Sequence, residues 1–366
     1  MKKIKVAIFQ PIIPHYRVSF FLNLLDNSTI DFHIYASEKD INGLSSESSI
    51  FEKKQFNKLG NIIKIPKVNA YWQRGIKLFS ILKFDAVVIS GNPRYINQMI
   101  LFLFCKLFRI KIIWWGQGWT ANKRGFLAKL RRKLMLNSNG IILYTEKEAH
   151  EINNKKFVIG LNNGIDIIPI DKALSKININ YSFSYNTLRL VFIGRLTAKS
   201  EILKIFEALK YVKRKVKLSI IGEGELSEHL KKFYVDNLKA NTNISIHFYG
   251  ELYQPDEIAN ILIYNDAFIY PGSVGLSLIH AFAHGLPAII HNDEKAHMPE
   301  FSAFKHNYNG LEMPADVHKL ANFLEQVSTE KLYSMRLNAK KTVANDYNTQ
   351  AMAIKFRTLI TDIFNL

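Results

Sequence analysis

The sequence of 366 residues predicts an α/β protein of two doubly wound, Rossmann-like domains facing a cleft. Three observations predict it. The length suits two domains at roughly 100–200 residues each. Short apolar runs alternate with longer helical patterns, the rhythm of βα units. That rhythm fails once, in the Asn-, Ser- and Lys-rich stretch from Ile167 to Asn186, as a linker would.

In the first domain, taken as residues 1–170, strands are expected at Ile4–Phe9, Phe32–Tyr35, Ala86–Ile89, Ile110–Trp115 and Gly140–Tyr144. The most apolar stretch, Met99–Trp115, is interrupted by Lys106, Arg109 and Lys111, short of the roughly 20 apolar residues of a spanning helix. It reads as a buried helix followed by a strand. Thr145 and Glu148 have the spacing of a capping box, which opens a helix after the fifth strand. The second domain, taken as 187–347, restarts with a strand at Leu188–Ile193 and a helix whose Ile202, Ile205, Phe206, Leu209 and Val212 share one face. Strands follow at Lys217–Ile221, Ile244–Tyr249, Ala267–Tyr270 and Ala288–Ile290. A last helix, Thr349–Phe364 with Asn348 as its candidate N-cap, lies in a segment, 348–366, that can pack back on the first domain.

A formal charge of +18 and a pI near 9.6 call for an anionic partner: nucleic acid, an anionic membrane surface or a phosphorylated substrate. No helix-turn-helix, zinc-finger or aromatic RNA-binding signature is present, so no specific nucleic acid is expected. Cys105 is the one cysteine, which excludes an intrachain disulfide and a thiolate metal site. The apolar run within Met1–Gln10 is too short for a signal peptide, and a cytoplasmic location is expected. Lys123, Arg124, Lys129, Arg131, Arg132 and Lys133, interleaved with Phe126, Leu127, Leu130 and Leu134, form a basic amphipathic pattern. It suits either a peripheral contact with the inner face of the cell membrane or the solvated face of a core helix.

Ligands of parallel sheets bind beyond the carboxyl ends of the strands, so the residues after each strand carry the functional reading. After Leu188–Ile193 come Gly194, Arg195, Leu196, Thr197, Ala198 and Lys199, a turn with two cations, which is either a diphosphate clamp or a solvated basic turn. After Ala267–Tyr270 come Pro271, Gly272, Ser273, Val274, Gly275 and Leu276, then a helix ending near Gly285. A glycine-rich loop running into a helix start offers free N–H groups to a phosphate. His280 and His284 stand i, i+4 as two zinc ligands can, but no glutamate follows His280. His280 is read as lining the donor pocket and His284 as packing locally. Gly222-Glu223-Gly224 suggests a nicotinamide cofactor, yet Ser227 replaces the third glycine of that fingerprint.

The sequence resembles the family-four group of retaining GT-B glycosyltransferases over nearly its whole length. The resemblance rests on Gly194-Arg195-Leu196 with a following lysine, Gly222-Glu223-Gly224, Phe248-Tyr249-Gly250, the block from Asn265 to Gly285-Leu286-Pro287, and Met298-Pro299-Glu300 before Asn309-Gly310. It implies a nucleotide-sugar donor bound by the second domain, with Arg195 and Lys199 neutralising the leaving diphosphate. Gly194, Gly250, Gly272, Ser273, Val274, Gly275, Leu276, His280 and Glu300 are the donor-binding residues it implies. On the acceptor side, for a glycan or lipid-linked acceptor, it implies the loop His15, Tyr16, Arg17 and the catalytic position Gln117 within Trp115-Gly116-Gln117-Gly118. Asp-x-Asp does not occur in the sequence, and neither a metal nor a cofactor is expected. Three departures from the family pattern stand out: Gly272 and His280 occupy the positions of its usual paired glutamates, Gln117 that of its histidine, and Lys199 lies slightly closer to Arg195 than is usual. A non-catalytic relative that binds nucleotide sugars or anions is the alternative.

Overall fold

The computed structural model describes residues 3–26, 29–118, 126–152, 157–178 and 183–365, with the side chains of Phe126 and Leu127 outside that description. The chain divides into two compact units, Met1–Asn162 with Thr349–Leu366, and Asn163–Asn348.

The first unit runs β1 (Ile4–Phe9), α1 (Val18–Leu25), β2 (Ile30–Ser37), β3 (Phe56–Leu59), β4 (Ile62–Ile65), β5 (Ala70–Gln73), β6 (Ala86–Ser90), α2 (Ile96–Leu107), β7 (Lys111–Trp115), α3 (Phe126–Leu136), β8 (Gly140–Leu143), α4 (Glu146–His150) and β9 (Val158–Gly160). Seven strands form one parallel sheet in the order β3-β2-β1-β6-β7-β8-β9. Its inner strands are apolar on both faces, as in Ala86–Ile89, because helices cover both sides. β4 and β5 form a separate antiparallel hairpin, absent from the sequence reading. Its turn sets Pro66 before Lys67, whose φ is +64°, the positive value that the third residue of a type II turn requires. The capping box at Thr145 is present, with the Thr145 hydroxyl accepting from the Glu148 amide at 3.1 Å.

The second unit contains α5 (Ile168–Ser175), β10 (Thr187–Ile193), α6 (Leu203–Leu209), β11 (Lys215–Ile221), α7 (Ser227–Phe233), β12 (Ile244–Gly250), α8 (Pro255–Leu262), β13 (Ala267–Tyr270), α9 (Leu276–Ala283), β14 (Ala288–Ile290), β15 (Gly310–Glu312), α10 (Val317–Gln326) and α11 (Thr329–Asn345). Its parallel sheet has the order β12-β11-β10-β13-β14-β15. The final helix, α12 (Thr349–Phe364), belongs to the first unit and packs on α1. Phe356 of α12, Phe20 and Trp115 make a ring cluster with centroids 5.6–5.9 Å apart. Asn348 turns its amide back to the carbonyls of Val343 and Ala344, so its side chain satisfies the end of α11.

Two expectations are corrected. The stretch taken as a linker contains α5, and residues 163–170, assigned from sequence to the first domain, lie in the second unit. Pro169 in its first turn and buried Ile170, Ala173 and Leu174 at i, i+3, i+4 explain the helix. The apolar helix expected to be buried is α2, and it is buried on one face alone, through Asn97, Gln98, Leu101, Phe102 and Cys105.

Candidate active site

In the second sheet the strand order reverses between β10 and β13, which pair directly through Leu190↔Ala267 and Val191↔Phe268. A crevice forms at such a switch point because the connections on either side turn away from each other. The Arg195 turn follows β10 and the glycine-rich loop follows β13. Both therefore stand at the switch point.

The turn is fixed by its backbone. The Leu196 amide donates to the Glu223 carbonyl at 2.9 Å, and the Leu196 carbonyl accepts from the Leu226 amide at 2.9 Å, while the Leu196 side chain is buried. Gly222 and Gly224 allow this approach: a Cβ on Gly222 would lie 2.0 Å from the Gly194 carbonyl oxygen, and one on Gly224 2.4 Å from that of Leu196. These glycines serve loop-on-loop packing, which accounts for the Gly-x-Gly pattern without a nicotinamide cofactor. Gly250 ends β12, and its carbonyl accepts from the Gly222 amide at 2.7 Å. The Lys199 carbonyl accepts from the Ser273 amide at 3.1 Å, so the two loops are bonded to each other. The side chains of Arg195 and Lys199 are exposed, and neither has a carboxylate partner among the described residues. Arg195 lies near the Tyr270 phenol, whose pKa burial raises and Arg195 opposes.

The glycine-rich loop is held from beneath. Buried Val274 donates its amide to His297 Nδ1 at 3.2 Å, and its carbonyl accepts from the Met298 amide at 3.0 Å. Because Nδ1 accepts, the His297 proton sits on Nε2, which donates to the His291 carbonyl at 2.9 Å. Burial pushes the His297 pKa down to about 4. The amides of Gly275, Leu276 and Ser277, at the start of α9, find no acceptor among the described residues. Buried Glu300 accepts from Asn163 Nδ2 at 2.7 Å, and its other oxygen lies 3.8 Å from where a Gly275 Cβ would be. His280, one turn into α9, is pushed down to about 4 by burial and, secondarily, by His284. It is neutral at pH 7. His284 Nδ1 bonds the His280 carbonyl at 2.8 Å. Among the described residues no group of three or more His, Cys, Asp or Glu side chains is placed to hold a metal.

A second cluster stands at strand ends of the first unit. His15, Tyr16 and Arg17 form a 3-10 turn after β1. The exposed His15 pairs with Glu47 at 3.1 Å, and the Arg17 guanidinium lies 5.6 Å from the Tyr16 ring centroid and 6.0 Å from that of Trp115. Gln117 follows β7, is exposed, and accepts at its backbone carbonyl from Arg131. Tyr144 ties the cluster together: burial raises its pKa, with Arg17, Tyr16, Glu148 and Arg131 as charged or polar neighbours. Glu148 also accepts from the Gly118 amide at 3.0 Å. Sequence reasoning did not place Tyr144, Arg131 and Glu148 beside these residues: it read Arg131 within a basic pattern suited to a membrane contact or a solvated face, and Glu148 as part of a capping box. Lys123 and Arg124 of the basic pattern lie outside the described residues.

Two cavities among the described residues of the second unit bear on the site. The larger, about 620 Å³, is lined by Asn186, Lys215 and Thr329 at the amino ends of β10 and β11, the wrong end for this chemistry. The other, about 540 Å³, is lined by Lys204, Pro271, His291 and Glu312 and adjoins the contact between Lys199 and Gly272.

The fold is that of the GT-B glycosyltransferases. A glycosyltransferase from Rickettsia africae is similar at a TM-score of 0.67 and 16% identity, over 100% of this chain and 99% of that one. The lipopolysaccharide outer core galactosyltransferase WaaB is similar at 0.66 and 12%, over 98% and 99%. HepE from Anabaena in complex with UDP is similar at 0.62 and 12%, over 99% and 100%. No curated protein sequence matches the chain. Residues 187–330, which hold Arg195, Lys199 and the whole of the segment from Gly272 to His280, match the family Glycosyl transferases group 1.

Proposed function

We propose that the protein is a glycosyltransferase, moving a sugar from a nucleotide-diphosphate sugar to a glycan or lipid-linked acceptor in bacterial cell-surface polysaccharide synthesis. The observation that carries this reading is the pair of exposed, carboxylate-free cations, Arg195 and Lys199, on a turn bonded to a glycine-rich helix start. In the transfer, the bond from the anomeric carbon to the diphosphate oxygen breaks and its electron pair stays on the phosphate. A bond forms from the same carbon to the acceptor hydroxyl oxygen. With retention of configuration, the acceptor proton passes to the departing phosphate on that face. Negative charge grows on the diphosphate, and fixed cations and free amides stabilise it without reorganisation. This supplies the task a metal performs elsewhere, hence the proposal of metal independence.

Glu300 and neutral His280 offer hydrogen bonds to donor hydroxyls, with Ser273, Val274, Gly275 and Leu276 shaping the loop. Gln117 cannot take a proton, since an amide does not ionise near neutral pH; it positions acceptor or sugar, beside His15, Tyr16 and Arg17. The similar structures, a galactosyltransferase and a complex with UDP, support a nucleotide-sugar donor. A cytoplasmic enzyme peripheral on the inner face of the membrane meets a lipid-linked acceptor where it resides.

Arg195→Ala tests the reading: transfer should fall about 10²- to 10³-fold, while melting is unchanged because the side chain is exposed. Turnover at the wild-type rate would refute it. The lack of a carboxylate at both Gly272 and His280 favours one alternative, a non-catalytic nucleotide-sugar binder. That protein would be stabilised by the donor in a thermal shift yet release no nucleotide product.

A further inference from the structure

We infer that the outward face of α2 is a docking surface for an anionic lipid bilayer. Ile96, Ile100, Leu103 and Leu107 recur at i, i+4, i+7 and i+11, so they form one straight stripe along the helix. All four are exposed, Leu103 at 62% and Leu107 at 76%, directly opposite the face that buries Leu101 and Cys105. Beside it, in the 3-10 helix Leu78–Lys83, Phe79 is 76% exposed, and its ring contacts Phe104 of α2 at 5.7 Å. Phe104 in turn meets exposed Phe108 at 4.5 Å. Phe104, one turn from Ile100 and from Leu107 on α2, is half-buried against the unit's core and carries the ring contacts from the stripe to Phe79 and Phe108.

Charge selects the occupant. Lys106 in α2, Arg109 just after it, and Lys77 and Lys83 at the two ends of the 3-10 helix that carries Phe79 are all exposed, and none has an acidic partner among the described residues. Between Arg74 and Lys111 the one acidic residue is Asp85, and its carboxylate accepts from the Lys5 amide at 2.8 Å. A protein partner could cover the apolar stripe alone; apolar side chains rimmed by unpaired cations match acyl chains beneath anionic headgroups. Among the described residues no helix is long and apolar enough to cross a membrane, so the contact is interfacial.

The basic helix α3 covers the same face of the sheet, since Met135 joins Leu101, Phe102 and Cys105 in one core cluster. Its contribution is electrostatic. Arg131 is directed to the Gln117 carbonyl, and among its described side chains Leu130 is the one large exposed hydrophobe. The apolar part of the contact therefore falls to α2. This deepens the lipid-linked acceptor reading and rests on it only for its purpose.

The experiment is flotation of the full chain with vesicles of phosphatidylcholine alone or with phosphatidylglycerol, without donor or acceptor. Donor turnover is measured separately in solution, so failure of either reading is seen by itself. Wild type should float with the anionic vesicles. Leu103→Gln with Leu107→Gln, which keeps every charge and a good helix former at each site, should weaken partitioning by at least about tenfold through lost apolar burial. Lys106→Gln with Arg109→Gln should weaken it too and reduce its salt sensitivity. Wild-type partitioning by the double leucine variant overturns the inference. So does a wild-type protein that ignores the vesicles and sediments as a dimer the leucine variant disrupts, which would make the occupant a second copy.

Discussion

Gly272→Ala should separate the two loops that form the proposed diphosphate site. The backbone of Gly272 is outside the left-handed region, so alanine has no conformational objection; the obstacle is space. A Cβ there would lie 2.1 Å from the Lys199 carbonyl oxygen, 2.6 Å from the Ser200 carbonyl carbon and 2.8 Å from its oxygen. All three are backbone atoms that cannot rotate aside. Forcing a methyl group into such a contact costs about 1–3 kcal/mol. The loop must also surrender the bond from the Ser273 amide to Lys199, a further loss of about 0.5–1.5 kcal/mol. A combined loss near 3 kcal/mol lowers the melting temperature of a unit of this size by roughly 6–12 °C. It also moves Lys199, so transfer should fall by more than the folded fraction does. The assay is a thermal melt alongside steady-state transfer, with Gly275→Ala as control for the melt alone. There the nearest atom is the flexible Met298 Cγ at 3.4 Å, and the change should cost no more than about 1 kcal/mol. Gly272→Glu, with a still larger side chain, meets the same collision and should lose transfer. A Gly272→Ala protein with wild-type melting and kinetics would refute the reasoning.

Transfer should persist in excess EDTA; complete loss restored by Mg²⁺ or Mn²⁺ would show that a metal carries the leaving-group charge. His280 and His297 have folded pKa values near 4 against an ordinary 6.5, so between these values the unfolded chain binds more protons. Stability is present above about pH 6.5 and is lost as pH falls toward 4. His297→Asn keeps an acceptor for the Val274 amide and removes one titration, so a urea series should show a shallower slope in that window; an unchanged slope excludes His297 as a source. The Cys105 thiol, buried and pushed up to about 12 by desolvation, should resist a disulfide reagent in the native protein and react on unfolding; prompt native labelling would place it at the surface.

The second unit's strands were legible because buried parallel strands are near-continuous apolar runs, as Ala267–Tyr270 and Ala288–Ile290 are in both sequence and structure. The helix Thr349–Phe364 was legible for the complementary reason, its long apolar periodicity. The hairpin β4–β5 was not, since Lys64 and Trp72 stand exposed on it and its strands have four residues each. α5 was hidden by a polar composition around three buried residues. For α2, hydropathy reported an apolar helix and could not say which apolar residues face outward, because that depends on where the sheet lies. At the site, the loops after β10 and β13 follow from topology, so a sequence reading can place Arg195 and the glycines at those strand ends. The long-range contacts that hold these loops were not legible: the grip of His297 on Val274 spans 23 positions and that of Asn163 on Glu300, a residue the family resemblance had singled out, spans 137, and no local pattern encodes either contact.

The return of α12 to the first unit makes that unit the first to be synthesised and the last to be completed. Met352, Phe356, Leu359 and Ile363 belong to the same core cluster as Ile8, Phe20 and Trp115, so β1 and α1 cannot seal this cluster until the ribosome has added α12. The second unit, continuous from Asn163 to Asn348, can close earlier, against the usual order in which the amino-terminal domain folds first. During synthesis the nascent chain carries an uncovered α1 and β-sheet face, with Phe20 and Trp115 open to solvent or to chaperones. A chain stopped at Asn348 should keep a folded second unit and leave the first prone to aggregate. Resistance of its residues 1–162 to protease would show that α12 is dispensable.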